Sequence, residues 1–335
     1  MPRLKAEWEK QEGTLLVFPP QNSDWSDILD LIIPTYLEII TTILQYQKVF
    51  LLGENQKYVF PYLPNTLLTN PNFIFLEIET NDTWIRDFGP ISVEENGITQ
   101  WYDYNFNGWG LKFPAFLDNL VTQCISDNLD ICNTKIMNIV LEGGGIESDG
   151  RGVLLTTSSC MLSPNRNPSY SKNALEEKLK RDFSLKTVLW LDHGYLSGDD
   201  TDSHIDTLAR FCNETTICYV GCEDFEDEHY EALLKMKKQL QGFTTKEGKP
   251  YTLIELPFPK AQYYKNDIEH RLPATYANFL FINEAVLVPV YNDPSDNKAL
   301  NIFTAIFPKR KIIPINCNAL IMQHGSLHCS AMQLY

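Results

Sequence analysis

Basic side chains are scarce. Against 43 Asp and Glu stand only 28 Lys and Arg, which leaves a formal charge of -15 at pH 7. Nucleic acid and anionic lipid both repel so acidic a chain at range, so a protein that coats either is excluded, whereas a small cation is drawn in. Long apolar runs are missing too, and no uninterrupted stretch approaches the roughly 20 residues needed to span a bilayer. The opening Met1-Pro2-Arg3-Leu4-Lys5-Ala6-Glu7-Trp8-Glu9-Lys10 alternates charge and lacks the apolar centre of a signal peptide. These absences predict a cytoplasmic protein with no membrane partner. Closely spaced cysteine pairs are also lacking: the eight cysteines, at positions 124, 132, 160, 212, 218, 222, 317 and 329, sit in apolar contexts such as Thr216-Ile217-Cys218-Tyr219-Val220. In a reducing compartment most read as small buried hydrophobes, with no disulfide framework. His324, His328 and Cys329 are near neighbours, but without a CxxC pair beside them, and on an extended segment, they do not make a zinc site.

No Pro/Gly/Ser-rich or charged linker divides the chain, so a single domain over residues 1–335 is expected. At 44% hydrophobic and 21% charged, it has the makings of a sizeable core. Short apolar runs bounded by Gly, Pro, Asn and Asp predict strands at Leu15–Phe18, Val49–Leu52, Phe73–Ile78, Val153–Thr156, Val188–Leu191, Ile217–Val220, Leu253–Leu256, Phe279–Ile282, Ala285–Val288 and Lys311–Pro314. Helices are predicted between some of them. One is capped by Asn173 with Leu175, Leu179 and Phe183 on one face and Glu176 in the capping-box position. A second runs from about Glu226 to Leu240. A third starts at Pro34 with Leu37, Ile40 and Leu44 inward. From Val153 to Ile313 a unit of strand, helix, strand and hairpin recurs three times at roughly 60 to 70 residues, a size typical of supersecondary repeats. A ring of repeats around a central cavity fits this pattern, and so does a doubly wound sheet.

Four polar clusters interrupt the apolar pattern. The last, Gln323-His324-Gly325-Ser326-Leu327-His328-Cys329-Ser330, puts one thiol at the end of a Gly-punctuated segment. At an unperturbed pKa of about 8.5 little of that thiol is ionised at neutral pH, so a nucleophilic Cys329 needs a nearby histidine or a bound cation. In Asp202-Ser203-His204-Ile205-Asp206, strand alternation would set 202, 204 and 206 on one face, flanking an imidazole with two carboxylates and raising its pKa. His204 is therefore the candidate general acid and base. In Asn81-Asp82-Thr83-Trp84-Ile85-Arg86-Asp87-Phe88-Gly89-Pro90, the Gly-Pro turn leaves Asp87 near a strand end, and Trp84 offers a flat face for a cation. Arg86 is expected to pair with a structural carboxylate, since it would repel a cationic substrate. In Leu141-Glu142-Gly143-Gly144-Gly145 the glycines permit close backbone approach, but the spacing is not that of a dinucleotide loop, so Glu142 is assigned to a substrate pocket.

Taken in this order, together with Ala6-Glu7-Trp8-Glu9 and Leu162-Ser163-Pro164-Asn165-Arg166-Asn167-Pro168, these clusters resemble the agmatine deiminase and bacterial-type peptidylarginine deiminase family of the guanidino-group-modifying superfamily. The resemblance covers nearly the whole chain. It implies an α/β fold, a five-bladed pseudo-fivefold propeller (pentein) of ββαβ repeats around a central active site with no metal or other cofactor, and hydrolysis of a guanidine to a ureido group and ammonia. Its implied site is Cys329 as nucleophile, His204 as acid and base, Asp87 and Asp206 holding the guanidinium, Glu142 orienting water or substrate, and Trp84 lining the pocket. The expected partner is a small cationic guanidine, with agmatine, a precursor of putrescine, ahead of peptidyl-arginine and free arginine. A non-catalytic binding propeller and an amidino transfer are the alternatives of other classes. The sequence is compatible with a homo-oligomer. The family usually carries a glycine run before its His-Cys pair, and here Gln323, His324 and Ser326 interrupt it, so His324 is expected to narrow the pocket or reshape the loop. The role of His328 is left open.

Overall fold

A computed structural model describes residues 1–131, 133–264 and 270–335. Cys132 lies outside them. Mixed α/β architecture follows from two kinds of segment. Fully buried runs such as Leu15-Leu16-Val17 and Val49-Phe50-Leu51-Leu52 suit strands covered on both faces, and amphipathic segments between them cover those faces. Among the described residues there are five sheets of three or more strands.

Each sheet pairs two strands antiparallel and then adds a third in parallel. The first contains Ile91–Glu95, Ile98–Asn105 and Thr134–Val140, edged by Arg3–Leu4. The second contains Ile146–Ser148, Val153–Thr157 and Thr187–Leu191. The third contains Ala209–Asn213, Thr216–Val220 and Thr252–Leu256, and the fourth Leu280–Ile282, Ala285–Val290 and Lys311–Asn316. The fifth joins the two ends of the chain: Ala331–Leu334 pairs with Gly13–Val17, which continues to Lys48–Gly53 and Phe73–Glu77. A parallel neighbour needs a crossover, and each crossover carries a helix: Val121–Asn128, Lys172–Phe183, Tyr230–Leu240, Asp296–Ile306 and Leu29–Ile43 in the same order of sheets. The repeat read from Val153 onward thus recurs in the first and fifth sheets as well.

Three helix boundaries depart from expectation. Leu29–Ile43 begins five residues before Pro34, which sits on the exposed side where the carbonyl of exposed Asp30, deprived of its N–H partner, stays hydrated. Ile32, Tyr36, Ile39, Ile40 and Ile43 are buried, whereas Leu37 and Leu44 are half-buried. Ser171, not Asn173, caps Lys172–Phe183 by accepting from Ala174 N at 3.3 Å, and Leu175, Leu179 and Phe183 are buried as expected. The segment from Glu226 to His229 is a turn, because Asp224 and Asp227 accept from the amides of Glu226 and His229. The helix therefore starts at Tyr230.

Of the seven described cysteines, all free, Cys160, Cys212, Cys218, Cys317 and Cys329 are buried, and Cys124 and Cys222 are half-buried. No helix of the described residues is long and apolar enough to cross a membrane.

Candidate active site

The polar clusters take equivalent places in the five sheets, each just before the strand that opens the antiparallel pair. Asp87 lies four residues ahead of Ile91, Glu142 four ahead of Ile146, Asp206 three ahead of Ala209, Asn278 two ahead of Leu280 and Cys329 two ahead of Ala331. Short helical turns at Ile85–Phe88, Gly143–Gly145 and Ile205–Thr207 hold the first three. All five side chains are buried, and hydrogen bonds or charge contacts link them through His204 and His328.

His204 joins two sheets. Its Nε2 donates to Glu142 Oε2 at 2.7 Å, and its Nδ1 lies 3.5 Å from Asp87 Oδ1 with no hydrogen-bond partner. The carboxylates beside the imidazole are therefore Glu142 and Asp87, which corrects the strand-face reading of 202, 204 and 206. Asp202 and Ser203 both take φ of +66°, a left-handed turn and no strand. Asp202 points instead to Arg166 at 2.6 Å and Lys112 at 2.7 Å. The turn is fixed by Asp199, which accepts from Ser203 N at 2.7 Å and Thr201 Oγ1 at 2.6 Å, and by Thr201 Oγ1, which accepts from His204 N at 3.0 Å.

Gly144 makes the convergence possible. A Cβ there would stand 2.6 Å from His204 Nδ1, 2.8 Å from Asp87 Oδ1 and 3.1 Å from Asp206 Oδ2, so only glycine lets the three meet. Its amide donates to Asp87 Oδ1 at 2.9 Å, and Trp109 Nε1 donates to Oδ2 at 2.9 Å.

Cys329 Sγ rests against Asn278, whose Nδ2 donates to it at 3.3 Å, and stands 3.8 Å from Asp206 Oδ2. Asp206 Oδ1 is buried without a partner, while Oδ2 meets His328 Nδ1 at 2.8 Å. His328 Nε2 meets Glu7 Oε1 at 2.7 Å. As expected, Arg86 pairs with a structural carboxylate, that of half-buried Glu7, at 3.1 Å.

Burial strains every charge here, and neighbours decide which survive. Burial drives Asp87 up to about 6, with Asp206 and Glu142 adding to the rise and His204 opposing it. For His204 burial opposes the charge, but Asp87, Cys160 and Glu142 outweigh it and hold the imidazolium well above the ordinary histidine range. Glu142 is held low against its burial by His204 and Arg166, and Asp206 by His328, His204 and Arg210. Burial, then Asp206 and Asp87, pushes the Cys329 thiol well up. The free site therefore holds a protonated thiol facing carboxylates, and a cation placed between them would reverse that.

A cavity of about 170 Å3 opens onto Cys329. Asp24, Asp82, Asp87, Asp199 and Asp200 line it with Trp84, Trp109 and Phe113, and among the described residues no Lys or Arg does. Trp84 lies against Gly325, where a Cβ would come within 2.6 Å of the ring. His324, at φ +66°, lines the rim, donates to Gly198 O at 2.8 Å and stands 3.7 Å from Asp200 Oδ2. Ser326 lies under the loop, hydrogen-bonded to Tyr291 at 2.9 Å.

His324, His328 and Cys329 do not converge as metal ligands, because both nitrogens of His328 face carboxylates. Glu142, Cys160 and His204 bring donor atoms within 4.8 Å of one another. Arg166, however, sets its guanidinium on Glu142, with Nε at 2.9 and 3.0 Å from the two oxygens, where a metal cation would have to go.

Sequence reasoning missed Asn278, Arg166 and Glu7 as parts of this site. Asn278 has a recoverable signal, since it is the polar residue before the opening strand of the fourth unit, the place the other four clusters hold in theirs.

The family model for Porphyromonas-type peptidyl-arginine deiminase matches residues 3–334. A crystal structure provisionally named as a peptidyl-arginine deiminase is 46% identical, with TM-score 0.95, over 100% of this chain and 98% of its own. A cysteine-to-serine variant of the C. jejuni agmatine deiminase, solved with substrate bound, is 42% identical, with TM-score 0.93, over 100% and 96%. A protein of Lactococcus lactis subsp. lactis provisionally named as an agmatine deiminase is 30% identical over 99% of this chain and 94% of its own. With the family model spanning nearly its full length, the chain belongs to the Porphyromonas-type peptidyl-arginine deiminase family.

Proposed function

We propose that the protein is an agmatine deiminase, hydrolysing agmatine to N-carbamoylputrescine and ammonia, and that residues 1–335 form one domain whose five sheets are the blades of a pseudo-fivefold propeller. The equivalent placement of Asp87, Glu142, Asp206, Asn278 and Cys329 ahead of five opening strands supports the propeller. The observation that carries the activity is the narrow cavity over Cys329, walled by five aspartates and aromatic rings with no Lys or Arg among its described lining residues. Such a cavity suits a dication, and its aspartates disfavour the α-carboxylate of free arginine.

In this reading the guanidinium lies between Asp87 and Asp206, each charge-assisted bond contributing about 1.5 to 3 kcal/mol. The distal ammonium reaches the aspartates nearer the rim. The bound cation offsets the carboxylates that keep Cys329 protonated, so the thiol gives up its proton to water as substrate binds and the thiolate forms. Sulfur attacks the guanidinium carbon, the carbon–nitrogen bond of the tetrahedral adduct breaks, and the departing nitrogen takes the proton of His204 to leave as ammonia. A thiouronium remains on Cys329. Neutral His204, oriented by Glu142, takes a proton from water as the water adds to that carbon, and the carbon–sulfur bond breaks to release the ureido product.

The test is ammonia release and ureido formation from agmatine, free arginine and a blocked arginine peptide. Turnover of agmatine with the other two inert is expected, and turnover of the peptide instead would sink the assignment. Since kcat/KM follows the free enzyme, it should fall as pH drops through about 6, where Asp87 takes up a proton and stops binding the cation. The acid limb of kcat should lie lower, because bound guanidinium favours the Asp87 carboxylate. Coincident limbs would contradict this role for Asp87. Gly144→Ala, whose Cβ must displace His204, Asp87 or Asp206, is expected to reduce kcat/KM by about 100-fold, to be read from steady-state rates on folded protein.

A further inference from the structure

Behind the nucleophile, the amino-terminal segment reaches the site. Glu7 is held by Arg86 at 3.1 Å, Arg210 at 2.6 Å and Gln333 Nε2 at 3.1 Å, and it also meets His328 at 2.7 Å. His328 in turn meets Asp206 Oδ2 at 2.8 Å, and both the His328 and Asp206 side chains are fully buried. A neutral imidazole has one donor and one acceptor nitrogen, so two short contacts to carboxylates need two protons shared among the three groups. Burial, Arg210 and Arg86 hold the ring below the ordinary histidine range, with Glu7 and Asp206 opposing them. Whatever the ring's charge, these two contacts fix its place between Glu7 and Asp206. One oxygen of Asp206 is thereby tied down, while Oδ1 is buried without a partner.

We propose that Glu7 and His328 are positioning residues that aim Asp206 at the substrate guanidinium, so that the amino-terminal segment, through Glu7, sets substrate affinity. The inference rests on the reading of Asp206 as a guanidinium-binding carboxylate. It assigns His328 no chemical step, because its nitrogens are occupied and His204 already serves the proton transfers. The contacts differ in kind from packing: the hydrogen-bonded route from Glu7 to Asp206 runs through the ring, while Arg210, which Glu7 also holds at 2.6 Å, acts on Asp206 by charge, so removing either link of the ring frees the same carboxylate.

Glu7→Gln and His328→Gln in the full chain, assayed on agmatine with active sites counted by covalent labelling of Cys329 with a haloacetamidine, test this. Each should raise KM by about tenfold or more, with a smaller fall in kcat per labelled site. The double variant should be no worse than about twice the poorer single one, because both act through one carboxylate. A purely structural role would lower the labelled fraction and the thermal midpoint but leave KM per site within twofold of the unmodified protein, and that result would overturn the proposal. Should the substituted chains not fold, selectively 15N-labelled histidine in Cys329→Ala decides: saturating agmatine should move the ring signals of His328, and unmoved signals reject the link. Failure of the functional reading looks different, as an unmodified protein that releases no ammonia from agmatine.

Discussion

Cys329→Ser is expected to lower turnover of agmatine by on the order of 10^4-fold or more while leaving the thermal midpoint and agmatine binding nearly unchanged. The thiol sits in a pocket made for it, with Asn278 Nδ2 at 3.3 Å and Asp206 at 3.8 Å. Serine fits the space and keeps those partners. It fails as a nucleophile because the site activates it chiefly through the bound guanidinium: Asp206, the carboxylate that Sγ meets, is held low by its own partners and is a poor base, and His204 is held as the imidazolium. One cation can draw a proton from a thiol far more readily than from a hydroxyl. Two consequences can be measured together. Haloacetamide should alkylate the free protein slowly at neutral pH, because burial and two aspartates keep Cys329 protonated, whereas a cationic haloacetamidine should label it fast. Retained turnover in the serine variant, or equal labelling by the neutral and cationic reagents, would remove Cys329 from its assigned place.

His204→Gln should reduce kcat by roughly 10^2- to 10^4-fold, the range for losing a positioned general acid. Glutamine can still donate to Glu142, so the loss reads proton transfer more than packing. Two signatures follow from the electrostatics. With the imidazolium gone, Asp87 loses the neighbour that opposes its rise, so its acid limb in kcat/KM should move above pH 6. Glu142, held low by His204 and Arg166, keeps the Arg166 guanidinium and should remain ionised. Intact-mass measurement on quenched reactions should find no thiouronium on Cys329, since ammonia cannot leave without a proton. A variant with normal kcat and an unmoved acid limb would show that His204 serves only the fold.

Much of this site stands out in the sequence because it interrupts strong local patterns. Asp87, Glu142, Asp206 and Cys329 each stand in a polar cluster between apolar stretches, where a core-forming segment has no use for a carboxylate or an isolated thiol, although the short strands that follow them, Ile91–Glu95, Ile146–Ser148, Ala209–Asn213 and Ala331–Leu334, are not among those the apolar runs predict. His204 shows for the same reason, although its partners were misread: alternation on a strand predicts 202 and 206 beside it, and two left-handed residues cancel that alternation. Only local geometry was at fault, and a turn anchored by Asp199 and Arg166 cannot be foreseen from spacing. Asn278 escaped notice because an asparagine before an apolar run reads as a turn residue. Its use as the cradle of a sulfur depends on a turn 51 residues farther on.

The sequence by itself determined the α/β class, most strands, the recurring unit, the sign of the charge presented to a ligand and the side chains capable of the chemistry, because each rests on local periodicity or on residue type. Tertiary structure alone decided which carboxylate meets which nitrogen. Glu7, Arg86, Asp206, Arg210 and His328 come from four distant stretches of chain, and their protonation depends on burial and on a few ångströms of separation. Those quantities exist only once the strand ending at Leu334 pairs with the one starting at Gly13 and the sheets bring their opening strands together.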